Sequence, residues 1–121
     1  MLNMQFVIYI FVGIIAYLIG SISPAILISK SQNKDILNEG SKNAGATNAV
    51  RVLGLKLGLC VFALDVFKGF IVTFLAVFLL GLAYGYIASF ALVVGHVFSC
   101  FHHFKAGKGV APTIGVVLAV C

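Results

Sequence analysis

Charge is scarce in this sequence: 9% of its 121 residues are Asp, Glu, Lys or Arg, against 62% hydrophobic, and mean hydropathy is +1.17. A soluble globular domain carries about 25% charged residues, because its surface has to be hydrated. This chain could not cover its own surface in water, which argues against an ordinary soluble domain. In lipid the outside has to be apolar as well, so the composition fits a membrane protein, and the length is that of one domain. Cysteines are few and odd in number (Cys60, Cys100 and Cys121), and no two form a C-x-x-C pair. Small, buried, reduced side chains are expected of them. No internal repeat or low-complexity tract is present. No serine–histidine–acid triad can be assembled, and no H-x-x-x-x-D acyltransferase motif occurs. An enzyme with this sequence would have to work through anion-binding loops.

Four apolar runs are present, at about residues 5–29, 57–80 and 82–101, with a fourth starting at 110. A helix crossing the hydrocarbon needs about 20 such residues. The pattern therefore predicts an all-α, polytopic transmembrane helical bundle forming a single membrane domain over 1–121. The first run is no convincing signal peptide: no Lys or Arg precedes it, it is too long, and no small-x-small cleavage site follows. Pro24, beside Ser21 and Ser23, is expected to bend or end that helix. The fourth run, about a dozen residues, is too short to cross. It is either re-entrant or cut short, and the expectation is a fragment of something longer.

The formal net charge of +5 is concentrated in polar segments between these runs. Segment 30–56 carries Lys30, Lys34, Lys42, Arg51 and Lys56 against Asp35 and Glu39, and segment 102–109 carries Lys105 and Lys108. A nucleic-acid footprint would be a basic stripe on a hydrated face, so no nucleic acid is expected. By the positive-inside rule both segments face the cytoplasm and the N-terminus faces out. Two crossings separate the two segments, which is the parity that rule requires.

Four groups could carry chemistry. The loop from Gly40 to Arg51 sets Ser41, Asn43, Gly45, Thr47 and Asn48 beside a membrane helix. Small residues let a ligand approach backbone N–H groups, and the arginine fork matches phosphate; an ordinary turn and helix cap would use the same residues. Phe104 to Val110 places glycines around Lys108 at a helix start, either an anion site or a basic loop that only fixes topology. It is no Walker A loop, because Gly109 rather than Ser or Thr follows the lysine. Asp65 and Lys68 share one face of a spanning helix, most simply as an ion pair locking neighbouring helices. His96, Cys100 and His103 have the spacing of three ligands on a helix face, but no carboxylate base stands near them, and neither metal nor cofactor is expected. The Gly81–Gly85 GxxxG, at a helix end, is a weak pairing signal.

Together the segments are more specific than any one alone. Gly20-Ser21-Ile22-Ser23 ends the first helix. Gly40-Ser41-Lys42-Asn43-Ala44-Gly45-Ala46-Thr47-Asn48 follows, with Arg51-Val52-Leu53-Gly54, then Asp65-Val66-Phe67-Lys68-Gly69, Gly95-His96-Val97-Phe98 and Phe104-Lys105-Ala106-Gly107-Lys108-Gly109-Val110-Ala111. In order and spacing these closely resemble the bacterial membrane-integral glycerol-3-phosphate acyltransferases that use acyl phosphate, the PlsY family. The resemblance runs from about Gly20 to Gly115.

It implies a multi-pass inner-membrane enzyme that takes the first step of phospholipid synthesis, with a seven-helix fold of which this chain is a truncated part. Such enzymes move a fatty acyl group from acyl phosphate to the 1-hydroxyl of glycerol 3-phosphate, giving lysophosphatidic acid. Carried over by motif, Ser41 and Arg51 bind the phosphate of glycerol 3-phosphate, and Lys108 joins them or stabilises the transferred group. Asn43, Thr47 and Asn48 shape the pocket, and Gly45, Gly107 and Gly109 permit close backbone approach. His96 and Lys105 are further binding candidates. No general base is evident, and the substrate's own phosphate could serve. The sequence departs from the family at Ala106, where a glycine is usual, at Ser99, where a proline is common, and in lacking the later helices and C-terminal polar motif. The alternative is an inactive fragment, or a non-catalytic membrane protein binding a phosphorylated solute. The motif set argues against a transporter, which usually shows repeated, interrupted helices.

Overall fold

A computed structural model of the chain describes residues 3–42, 44–100 and 109–120, and these are helical without strands. Helix α1, Met4–Ser21, starts where Phe6 N–H donates to the Asn3 side chain at 2.8 Å. It stops because proline lacks an N–H and disfavours helical backbone in the residue before it. Ser23 is accordingly extended, and its hydroxyl accepts from Ile26 N–H to cap α2, Pro24–Ser31, with Pro24 in the first turn. The single helix expected over 5–29 is thus two helices, with α1 about 27 Å long at 1.5 Å per residue.

Segment 30–56, expected as one polar loop, holds a helix of its own, α3, Ala46–Leu53. Gly54, at φ +94°, turns the chain directly into α4, Leu55–Leu80, and Gly81, at φ +119°, turns it into α5. Helix α5 covers Leu82–Val97, shorter than the expected 82–101, because Phe98 leaves helical geometry. Helix α6, Val110–Val120, follows Gly109, at φ +84°.

The distribution of side chains shows which solvent the molecule is built for. Phe78 is 74% exposed and Phe90 75%, while Asp65 is 1% exposed and Thr73 0%. Large apolar groups face outward on every long helix and polar groups are turned in, the reverse of a water-soluble core. In hydrocarbon that arrangement is the stable one, since backbone polar groups are satisfied within helices and polar side chains are kept away from lipid. Helix α4 and the stretch Met4–Ser31 are long and apolar enough to cross, although length alone would not separate them from core helices. Cys60 and Cys100 are exposed and free, not buried as expected. An apolar thiol beside lipid has no need of burial.

Tight helix contacts are made through glycine, which lets backbones touch. A Cβ on Gly20 would lie 2.0 Å from Leu92 O, and one on Gly95 2.2 Å from Tyr17 O, so α1 and α5 interlock reciprocally. Helices α4 and α6 do the same: a Cβ on Gly69 would lie 2.2 Å from Pro112 O, and one on Gly115 2.0 Å from Val66 O. A small apolar cluster (Ala25, Ile26, Ile36, Ala44, Ala49 and Val61) fastens α2, the loop and α3 against α4.

Candidate active site

The loop between α2 and α3 is built around one amide. Asn48 is fully buried; its Oδ1 accepts from Ser41 N–H at 2.9 Å, and its Nδ2 donates to Ile36 O at 3.0 Å and Glu39 O at 3.1 Å. Gly40 has φ +60°, and a Cβ there would lie 2.2 Å from Asn48 Oδ1, so both backbone and space call for glycine. The loop's two acids are engaged locally: Glu39 Oε2 accepts from Asp35 N–H at 2.8 Å, and Asp35 accepts from Asn38 Nδ2 at 2.6 Å and from Leu37 N–H at 3.2 Å. Lys34 Nζ donates to Val52 O at 2.9 Å near the end of α3, where cations are favoured. Arg51 has neither acid among the ion pairs formed by described residues.

The loop and α3 wall a cavity of about 260 Å³. Ser41, Gly45, Thr47 and Arg51 line one side, and Thr47 and Arg51 are four residues apart on one face of α3. The opposite side is Gly109, Val110 and Ala111 at the start of α6, where the first N–H groups of a helix lack intrahelical partners and favour an anion. His96 from α5, with Asp65 and Phe62 from α4, forms another part of the wall. Hydroxyls, a guanidinium, a helix N-terminus and an imidazole around one cavity suit a ligand that carries a phosphate.

Behind that wall lies a buried charge cluster. Lys68 Nζ is 3.1 Å from Asp65 Oδ1 and 2.9 Å from His96 Nδ1, and it donates to Gly20 O at 3.1 Å and Ile22 O at 3.0 Å. One ammonium therefore ties the end of α1 to α4 and α5, which fits a helix-locking pair. Ser99 Oγ adds a bond to Ser21 O at 2.6 Å, and Tyr17 OH one to Phe98 O at 2.6 Å.

Of the residues singled out from the sequence, Ser41, Gly45, Thr47, Arg51, His96 and Gly109 line one cavity. Asn48 does not: expected among the binding residues, it stands behind the wall and shapes it through bonds to the backbone of Ser41, Ile36 and Glu39. Asn43, Lys105, Gly107 and Lys108 lie outside the described residues, as does His103. Cys100 has its sulfur 4.0 Å from Ser21 Oγ. Sequence reasoning missed Phe62, which carries no polar signal, and favoured a structural ion pair for Asp65 over a place in the site. The signal for Asp65 was its place inside a spanning helix, which by itself marks a candidate functional residue.

A family profile described as glycerol-3-phosphate acyltransferase matches residues 10–121. Among curated proteins, the glycerol-3-phosphate acyltransferase of Finegoldia magna is 45% identical over 116 residues, covering 95% of this chain and 59% of the relative. That of Thermoanaerobacter sp. is 50% identical over 109 residues, covering 89% and 55%. A crystal structure of PlsY (YgiH), an integral membrane glycerol 3-phosphate acyltransferase, in its glycerol 3-phosphate form, superposes with TM-score 0.88 at 46% identity, over 93% of this chain and 57% of that one. Its lysophosphatidic acid form gives 0.85 at 45%. The chain thus spans between half and two-thirds of the length of these relatives, and it is an integral membrane protein with their helical fold.

Proposed function

The chain belongs to the glycerol-3-phosphate acyltransferase family, and on that premise we propose that it transfers a fatty acyl group from acyl phosphate to the 1-hydroxyl of glycerol 3-phosphate. The observation that carries the proposal is the single cavity at which Ser41, Thr47, Arg51 and His96 meet the first turn of α6. In this reading Arg51 and Ser41 hold the phosphate of glycerol 3-phosphate, the guanidinium by a two-pronged contact and the serine by its hydroxyl. Thr47, Gly45 and Gly109 shape the approach, and the motif resemblance assigns Lys108, with Lys105, Gly107 and Asn43, to the same anion.

Acyl phosphate is a mixed anhydride, so its carbonyl is already activated. The 1-hydroxyl oxygen attacks that carbon, a new ester bond forms, the carbon–oxygen bond to phosphate breaks, and inorganic phosphate leaves. The hydroxyl proton passes to a phosphate oxygen of the substrates, so no protein base and no cofactor is required. What the protein supplies is proximity of two anions and donors aimed at the charge that develops on oxygen. The product, lysophosphatidic acid, is the first intermediate of phospholipid synthesis. The orientation we propose is a bacterial inner membrane with the N-terminus outside and both basic loops cytoplasmic, supported by the placement of positive charge.

The test is turnover. Membranes carrying the protein are given acyl phosphate and labelled glycerol 3-phosphate, and labelled lysophosphatidate is measured. We expect product with acyl phosphate and none with acyl-CoA, and Arg51→Ala to lower the rate about 100-fold or more. Lys108→Ala should act similarly. An active protein whose rate is unchanged by both substitutions would overturn the site assignment.

A further inference from the structure

The Lys68 ammonium has three protons to donate and four close neighbours. Two are backbone carbonyls, Gly20 O and Ile22 O, at 3.1 and 3.0 Å, and the third is His96 Nδ1 at 2.9 Å. The fourth, Asp65 Oδ1, is 3.1 Å away and supplies the counter-charge. The His96 contact is the shortest of the four. An ammonium accepts nothing, so the imidazole nitrogen facing it has to be unprotonated. An N–H on that nitrogen would need an acceptor, and the Asp65 carboxylate does not provide one: His96 Nδ1 stands 3.7 Å from Asp65 Oδ1, beyond hydrogen-bonding range. A neutral imidazole carries its proton on one nitrogen only, and the partner of the first nitrogen decides the tautomer of the second. The proton is then on Nε2, and His96 is one of the residues that line the cavity.

We propose that Lys68 is a positioning residue that holds His96 in the Nε2–H tautomer, so that the imidazole meets the cavity as a hydrogen-bond donor to a phosphoryl or acyl oxygen rather than as a base. The inference rests on the acyl-transfer reading for the identity of that oxygen, but not for the tautomer. It gives the buried charge cluster a second task. The same ammonium that joins α1, α4 and α5 sets the hydrogen-bonding polarity of one cavity wall, and Asp65 balances its charge without competing for the ring.

Nitrogen NMR of the chain in lipid vesicles, labelled with 15N-histidine, reads the tautomer directly, with His96 identified by its loss in His96→Gln. The expected spectrum has an unprotonated Nδ1 and a protonated Nε2; a proton on Nδ1 overturns the proposal. Lys68→Met removes the donor and should shift His96 toward the Nδ1–H form or a mixture, whereas an unchanged tautomer would show that Lys68 does not set it. Because Lys68→Met could disturb the bundle, the donor role has a test that leaves Lys68 in place. Glutamine carries an N–H near the position of Nε2–H and cannot act as a base. His96→Gln should therefore recover at least about tenfold of the acyl-transfer rate lost in His96→Ala. Equal loss in the two variants identifies a base and refutes the donor role. Absence of acyl transfer by the unmodified protein would count against the proposed function, while the nitrogen spectra would still decide the tautomer.

Discussion

Asn48 shows how one side chain sets the geometry of another's ligand. Its three bonds to backbone hold Ser41 at the cavity while Asn48 itself touches no open space. Asn48→Ala removes all three at once, and each buried group left unpaired costs about 1–3 kcal/mol. We expect a lower melting temperature in detergent and weaker use of glycerol 3-phosphate, with Ser41 still present. Asn48→Asp should be worse, because a carboxylate would set acceptors against Ile36 O and Glu39 O where an amide donates. Arg51 is different in kind. Arg51→Lys keeps the charge but loses the fork, so it should impair substrate binding while leaving the melting temperature close to that of the parent. Binding and melting measured side by side separate these two behaviours.

At the scale of elements, the α1–α5 and α4–α6 crossings depend on four glycines, and the contrast with Gly13 makes this testable. Gly115→Ala would put a methyl group 2.0 Å from Val66 O and 2.7 Å from Phe70 N, so α4 and α6 would have to separate. Overpacking of this kind typically costs about 1–3 kcal/mol. Gly13 is also helical, but a Cβ there would meet only Ile87 Cγ2 at 3.8 Å, an ordinary contact. Gly13→Ala should be neutral or slightly stabilising, since alanine favours helix by up to about 1 kcal/mol over glycine. Thermal denaturation of both variants in detergent decides the matter, and equal destabilisation would refute the packing account. These crossings were not legible in the sequence. The GxxxG that stood out, Gly81–Gly85, instead ends α4 and seats Gly85 against Val77. A spacing motif reports small residues on a face, whereas the contact depends on which helix lies opposite. The break at Ser23-Pro24 was legible, because proline acts on its own backbone. Helix α3 was not: it is only eight residues long, three of them polar, and it is held by packing on α4 through Val50 and Gly58.

Across the whole molecule, the apolar exterior and polar interior follow from composition, and the membrane setting was therefore readable before any coordinates. The meeting of the Ser41–Arg51 region with Gly109 was readable only through motif resemblance. Nothing local in either segment says that about 60 residues of intervening chain return to the same point. That return also requires both basic segments to lie on one side of the bilayer, which labelling can check. With Cys60, Cys100 and Cys121 replaced, a cysteine at Lys34 should resist a membrane-impermeant thiol reagent in intact cells and react in inverted vesicles. A cysteine at Asn3 should show the opposite pattern, and the reverse result for both would invert the proposed orientation.

The claim on which the rest depends is that the cavity between α3 and α6 holds a phosphate ester. Equilibrium binding of glycerol 3-phosphate to the chain in lipid nanodiscs measures this without requiring turnover. The account predicts saturable binding, competition by inorganic phosphate but not by glycerol, and loss of at least about tenfold in affinity in Arg51→Ala, as expected for removing a charge-assisted contact. Equal affinity in the parent and in Arg51→Ala would contradict it.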